Sequence, residues 1–497
     1  MKSPNASFRV ARTYCRRILF VLFALLLLAG IYFWTRFGTD RAVQFDEPVM
    51  HFKYGSTGGD RNLGFPYWVW RALPQVCSEY LPGKGYESLG MLFEPGHDLP
   101  VGMSRRHQLG IDRVFLNCAV CHASTVRIKP ESTPMLVEGM PAQQLNLMAF
   151  QKFFQQCATS AKFTPDRIIP EAQRLGAKLD PIDRYAVYPI AIYLMRDRVI
   201  ALMDRLRFLN VEPEWGPGRV DTFNSAKAIF NFPIERLPKE ELFGASDFPA
   251  IWNQAKKHGM QLHWDGNNDR VEERNLSASF GTGATPPIID HAAITRIESW
   301  IATATPPAFE KYFPVDKALA EKGEKIYQHY CTECHGVSGA DFSGKEVGHV
   351  TPLKAIGTDP YRLNSYSPML MVNQGTLYAG YPEYQFRHFR KTFGYANMPL
   401  DGLWLRAPYL HNGSVPTLWA LFLPASQRPT RFYRGSDVYD PKQMGFVTSM
   451  AAEGDRHYFE YDTSVPGNGN QGHEGAAYGT QLSVADKWAL IEYLKTF

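Results

Sequence analysis

Charge of one sign is what this sequence has least of. Its 53 Lys and Arg nearly balance 49 Asp and Glu, a formal net charge of +4 over 497 residues. No basic run of the kind that grips phosphate backbones stands out, which argues against a nucleic-acid partner. There is no low-complexity segment. With 45% hydrophobic and 21% charged residues the chain reads as globular rather than disordered. At about 150 residues per domain, its length allows two or three domains. Cysteine is scarce as well: seven, at positions 15, 77, 118, 121, 157, 331 and 334. Four of these seven fall in one pentapeptide that occurs twice.

The first copy is Cys118-Ala-Val-Cys121-His122 and the second is Cys331-Thr-Glu-Cys334-His335. C-x-x-C-H is the attachment signature of a c-type haem. Two thiols add across two vinyl groups on one edge of a porphyrin, and one turn of backbone reaches both. The adjacent histidine then falls under the ring and offers an imidazole nitrogen to iron. Zinc would need a second Cys or His pair at comparable spacing, and none follows either copy. A redox C-x-x-C needs no following histidine. The spacing therefore predicts two covalently attached haems, on Cys118 and Cys121 and on Cys331 and Cys334, with His122 and His335 as proximal iron ligands.

Residues 18–34, ILFVLFALLLLAGIYFW, are uncharged and follow Lys2, Arg9, Arg12, Arg16 and Arg17. The run is just long enough to span a bilayer. The basic flank keeps the N-terminus in the cytoplasm and sends the rest outside. A cleaved signal peptide is the alternative, although the bulky GIYFWTR that ends the run shows no small-x-small cleavage site. Both readings export the body, since haem attachment takes place outside the cytoplasm. The expectation is a single-pass protein of a bacterial inner membrane with its haem domains in the periplasm, or a periplasmic protein after cleavage. In that oxidising compartment Cys77 and Cys157 either pair or remain two buried thiols.

The fold expected is mainly α with long irregular loops: two cytochrome c-like haem domains behind an N-terminal membrane helix. Residues 1–40 form the tail and anchor, 41–305 an N-terminal haem domain and 306–497 a C-terminal cytochrome c domain. Residues 41–60 read as a polar linker, and GFPYWVWRALP as a short aromatic helix. Apolar positions at helical spacing run through 140–160 and 181–210. Residues 211–290 read as a long irregular stretch, and prolines 306, 307 and 314 punctuate a boundary. An amphipathic helix enters the second motif. The chain closes on LSVADKWALIEYLKTF, with Ser483 placed as an N-cap.

A haem that only carries electrons usually has both axial positions filled, whereas one that activates oxygen or peroxide keeps one open. For the second haem the residues offer His473, in the loop NGNQGHEGAAYGT, as the leading sixth ligand. Met398, Met444, His411 and His457 are the rivals. For the first, His97 and His107 are the nearby candidates; without them its face is open.

The stretches LPVGMSRRHQLGIDRVFLNCAVCHAS, IWNQAKKHGMQLHWDGNN, LRAPYLHNGSVPTL and NGNQGHEGAAYGT, with two C-x-x-C-H motifs, resemble the bacterial dihaem cytochrome c peroxidase superfamily. Within it the chain is most similar to the rubber oxygenase branch, and it looks shorter than the rubber-cleaving members. The resemblance implies His473 as distal ligand of the second haem and an open first haem that binds dioxygen or peroxide. It implies a phenylalanine crowding the reactive iron, matched by Phe280, and a tryptophan between the haems, matched by Trp264 with Trp252 as rival. Calcium, known in the peroxidase relatives, has no readable ligand set here.

The function expected is a dihaem oxidoreductase. Its N-terminal haem reacts with H2O2 or O2, and its C-terminal haem passes electrons from a periplasmic donor or an organic substrate. A peroxidase favours a carboxylate beside the iron, for which Asp265 and Glu272 are candidates. A dioxygenase favours a dry aromatic pocket. A pure electron carrier would have both irons six-coordinate, and a gas-sensing module would need a signalling domain, which the sequence does not display.

Overall fold

The computed structural model describes residues 4–497, with side chains from residue 12 onward. Lys2 and the side chain of Arg9 lie outside the described residues. The helix Pro4–Phe37 opens the chain. Its portion Arg12–Phe37 is long and apolar enough to cross a membrane, and none of it is buried against the body. By length and composition a signal sequence answers the same description. Its end is tied to the body. Arg36 forms ion pairs of 2.6 Å with both Asp180 and Asp183, and a Cβ at Gly110 would stand 2.9 Å from the Phe37 ring.

Residues 41–60 are not a polar linker. Asp40–Ala42 is a strand, Pro48–Tyr54 is a helix, and residues 51–60 are buried throughout. The polar side chains that suggested solvent are satisfied by distant partners. Asp60 accepts from Ser56, Ser104 and Arg106, and Lys53 pairs with Glu94 at 2.8 Å. A buried polar group survives only when it is bonded in this way.

Helix predominates, as expected, and the described residues also include sixteen short strands. Four form an antiparallel sheet: β1 (Asp40–Ala42), β2 (Phe65–Pro66), β3 (Met103–Gln108) and β4 (Ile111–Leu116), in the order β1-β3-β4-β2. β3 and β4 are joined through Leu109 and Gly110, both at positive φ (54° and 78°). Two consecutive positive φ values are the two-residue hairpin geometry that matches strand twist. The expected irregular stretch 211–290 also holds two helices, Thr222–Ile229, capped by Asp221, and Val271–Gly281.

The helices Tyr67–Val76 and Leu147–Thr159 are joined by a disulfide between Cys77 and Cys157, with Cα atoms 5.6 Å apart. One large core lies around this bridge. A second unites Val126, Val137, Met140 and Trp252 with Phe309, Trp404, Tyr439 and Leu490, so it draws on residues before and after 305. Arg127 extends the union. It lies in a parallel bridge with Val438 and pairs with Asp437 and Glu453.

At the C-terminal end, helix Lys317–Tyr330 packs across Val484–Leu494. Ser483 caps the latter by accepting from the Asp486 amide. The crossing is close because Gly323 has no side chain: a Cβ there would stand 1.9 Å from the Ala489 carbonyl oxygen.

Candidate functional site

β4 delivers the chain into the first C-x-x-C-H. Asn117 caps the single turn Cys118–Val120 by accepting from the Ala119 amide. The amide group of the same side chain donates to the carbonyls of Lys53 and Gly55, at 3.3 and 2.9 Å. The segment expected to be a linker thus fixes the motif's start. Cys118 and Cys121 are half-buried and outside any disulfide. Burial pushes their thiols up to about 11 and about 12. His122 places Nδ1 2.9 Å from the Pro249 carbonyl. Burial, with Arg274 nearby, lowers its pKa to about 3. A neutral imidazole that donates from Nδ1 keeps Nε2 as a lone-pair ligand, the arrangement that orients metal-binding histidines.

The second motif repeats this with other elements. Helix Lys317–Tyr330 runs into Cys331, and Thr332–His335 forms one further turn. Tyr327 donates to the Gly336 carbonyl at 2.7 Å and closes the turn. His335 places Nδ1 2.8 Å from the Met398 carbonyl, and burial lowers its pKa. Cys331 is raised to about 12 by burial, and Cys334 is raised for the same reason.

His473 stands opposite His335. The ring centres are 6.2 Å apart, with 44° between planes. A metal–imidazole bond is about 2.0–2.1 Å, and each ring centre lies about 1 Å behind its nitrogen, so two axial imidazoles on one metal stand about 6 Å apart. The observed separation fits. His473 Nδ1 is buried without a hydrogen-bond partner, and burial with His335 close by lowers its pKa to about 3. The backbone there is left-handed, at φ 48°. It is held by the His473 amide donating to Ile356 and by Arg428 donating to the carbonyls of Gly472 and His473.

Pro249 and Met398, whose carbonyls orient the two motif histidines, line one shared cavity. Trp252 and Trp264 form part of its wall, and Lys257, Arg274 and Arg406 supply cations. Lys257 and Arg406 share the buried Asp401. The Arg274 guanidinium has no hydrogen-bond or ion-pair partner among the described residues, and burial lowers its pKa to about 10. An apolar wall studded with cations suits a flat macrocycle bearing two carboxylates.

The remaining candidates each have partners of their own. His97 is exposed and stacks on Tyr54 at 4.3 Å. His107 lies on the exposed hairpin, 2.9 Å from Asp112. His411 is buried and bonds Tyr395 at 3.0 Å. Met444 is buried in the second core, and His457 is exposed on a strand. Met398 lies on the His335 side, where its carbonyl is used. Trp264 donates to the Asp247 carbonyl and Trp252 to that of Glu138, both at 2.8 Å. Phe280 ends the helix that carries Arg274, in a cluster with Tyr378, Tyr384 and Phe386. Asp265 is buried against Arg362 at 3.2 Å, and Glu272 is exposed beside His258.

Sequence reasoning missed Arg274, Lys257 and Glu298. Glu298 is a half-buried carboxyl on helix His291–Thr303. Burial raises its pKa, and its charge in turn raises that of Cys118. No periodicity or motif marks Arg274 or Glu298, and Lys257 lies within IWNQAKKHGMQLHWDGNN without a residue type that singles it out. Among the described residues no three His, Cys, Asp or Glu side chains are grouped to hold a metal ion.

A family model described as RoxA-like, cytochrome c-like matches residues 394–433. The match takes in 40 of the 497 residues and includes neither C-x-x-C-H motif. The matched segment contains Met398, whose carbonyl meets His335, Arg406, which lines the cavity, and Arg428, which donates to the His473 carbonyl; it also contains His411, bonded to Tyr395. The uncharacterized protein y4iJ of Sinorhizobium fredii (strain NBRC 101917 / NGR234) is 26% identical, over 85% of this chain and 85% of that protein. The uncharacterized protein y4iM of the same strain is 31% identical, over 50% of this chain and 64% of that protein.

Proposed function

We propose that the protein is a dihaem c-type oxidoreductase, held at the outer face of a bacterial inner membrane, whose N-terminal haem reacts with O2 or H2O2. Kinship with the wider dihaem peroxidase superfamily is part of the proposal. Cys118 and Cys121 would hold one macrocycle and Cys331 and Cys334 the other. His122 and His335 would be the proximal ligands, and His473 would fill the sixth position of the second. When bound, the haems supply the redox chemistry, and the protein sets their ligation, spacing and dryness.

The observation that carries the reading is a difference between the two sites. The second has two imidazoles at coordination distance across one axis, 6.2 Å between centres. At the first, His97 and His107, the candidates for such a partner, are held at the surface by Tyr54 and Asp112. One saturated site suits electron transfer, and one open site suits a small oxidant.

The chain's own residues then divide the work. The Pro249 and Met398 carbonyls hold Nδ1–H of His122 and His335, which leaves each Nε2 lone pair free to bind a metal. Arg274 offers an uncommitted guanidinium to a carboxylate or to charge developing at the first site. Trp264, pinned to Asp247, lines the cavity that both histidine supports also line, and would serve as the electron path. Phe280, on the helix that carries Arg274, would be the phenylalanine that crowds the reactive iron. Glu298, a half-buried carboxyl whose charge reaches Cys118, joins Asp265 and Glu272 as a candidate to hold or release a proton there.

Absorption and electron paramagnetic resonance spectra of protein matured with covalent haem test this. One high-spin and one low-spin iron, with the high-spin signal altered by O2 or H2O2, is expected. Two low-spin irons indifferent to both would leave an electron carrier.

A further inference from the structure

The helix Tyr188–Arg205 buries Tyr188, Ile192, Met195, Val199 and Met203. Its outward face should therefore be polar. In its second half Asp197, Arg198, Asp204 and Arg205 are exposed, beside the less exposed Ile200 (40%) and Leu202 (37%). Its first half departs furthest from the rule. Ile190 is 59% exposed and Leu194 54%, with Tyr193 beside them. Tyr185, in the turn that leads in, is 74% exposed, and Ile182 is also exposed. Single exposed apolar residues are ordinary, but a contiguous set at one end of a helix marks an interaction surface.

Position says what covers it. The same short segment supplies Asp180 and Asp183, which grip Arg36 at the end of the apolar N-terminal helix. The β3–β4 turn beside Phe37 adds Leu109, 60% exposed at the tip. The patch thus adjoins the point where residues 18–34 would leave a bilayer. Its chemistry suits that boundary. Arg184 lies over the Tyr185 ring at 5.5 Å and Arg196 over Tyr193 at 5.1 Å. Tyrosine and arginine side by side, with an apolar body below and a charged tip above, are favoured at the headgroup level.

We propose that Ile182, Tyr185, Ile190, Tyr193 and Leu194, with the Leu109 hairpin tip, lie in the headgroup layer of the bilayer that the N-terminal helix crosses. The inference rests on that helix being a retained anchor. The body then lies against the membrane by one defined face, as interfacial helices do. The Asp197 and Asp204 end tilts away into water.

The test uses the full-length, haem-loaded chain in nanodiscs of phosphatidylethanolamine and phosphatidylglycerol. A benzophenone amino acid is placed at the position of Ile190, Leu194, Leu25 or Glu321 in separate preparations. After illumination, intact mass should rise by one phospholipid at Ile190 and Leu194 as it does at Leu25, with no rise at the exposed Glu321. Adducts at Leu25 alone overturn the proposal. So does crosslinking at Ile190 to a second copy of the chain. An unilluminated mass lacking residues 1–34 overturns the anchor reading instead. In that case, lipid adducts at Ile190 and Leu194 on vesicles of the same lipids uphold the surface by itself, and none overturns it.

Discussion

His335 and His473 face each other with ring centres 6.2 Å apart, although 138 positions separate them in the chain. Replacing His473 by Ala should convert one iron from low to high spin and leave the other unchanged. Electron paramagnetic resonance at low temperature reads the change. An unaltered spectrum would remove His473 from the coordination sphere.

Arg274 gives a prediction of sign. A guanidinium without an internal counter-ion disfavours any positive charge near it, and Fe(III) carries one more than Fe(II). Arg274→Gln should lower the midpoint potential of the first centre and leave the second near its original value. A spectroelectrochemical titration separates the two. Equal shifts of both centres would place Arg274 outside the first site.

Arg127 ties the strand that follows the first motif to the C-terminal half, through Asp437 at 2.8 Å and Glu453 at 2.5 Å. Arg127 and Tyr458 hold the Glu453 carboxyl down to about 2, from an ordinary 4.5. A carboxylate depressed by folding stabilises the fold above its ordinary value. That contribution fades as pH falls from about 4.5 toward 2. Glu453→Gln should therefore weaken the protein at neutral pH and flatten its loss of stability across that window. Urea midpoints at several pH values, followed by circular dichroism, supply the comparison.

The disulfide closes a loop of 80 residues between two buried positions. On chain-entropy grounds such a closure is worth about 4–5 kcal/mol. The double variant Cys77→Ser, Cys157→Ser should lose stability on that scale in denaturant titrations while keeping both covalent attachments, since neither cysteine belongs to a motif.

Gly323 leaves no room at the crossing of the two C-terminal helices. Gly323→Val should separate them and destabilise the domain by about 3 kcal/mol or more, the class of effect produced by overpacking a tight contact. The thermal midpoint measures it, and a midpoint equal to the wild type would mean that the crossing relaxes freely.

What could be read from the sequence was local. The helix running into Cys331 and the Ser483-capped final helix announce themselves through spacing and cap chemistry. Residues 51–60 did not. Their polar side chains look solvated until Ser104 and Arg106, more than forty positions away, close around Asp60. The hairpin was equally hidden, because Arg105, Arg106 and His107 dilute any apolar alternation in β3. The supports of the motif histidines are backbone carbonyls, and a backbone carbonyl has no residue type to recognise.

That last point bears on how such a protein ages. Both acceptors, Pro249 and Met398, contribute through the main chain, so no single substitution deletes either one. The side chains at 249 and 398 are free to drift wherever the path of the chain is kept. Lineages of this protein should therefore vary at these two positions while the orientation of both imidazoles is inherited intact.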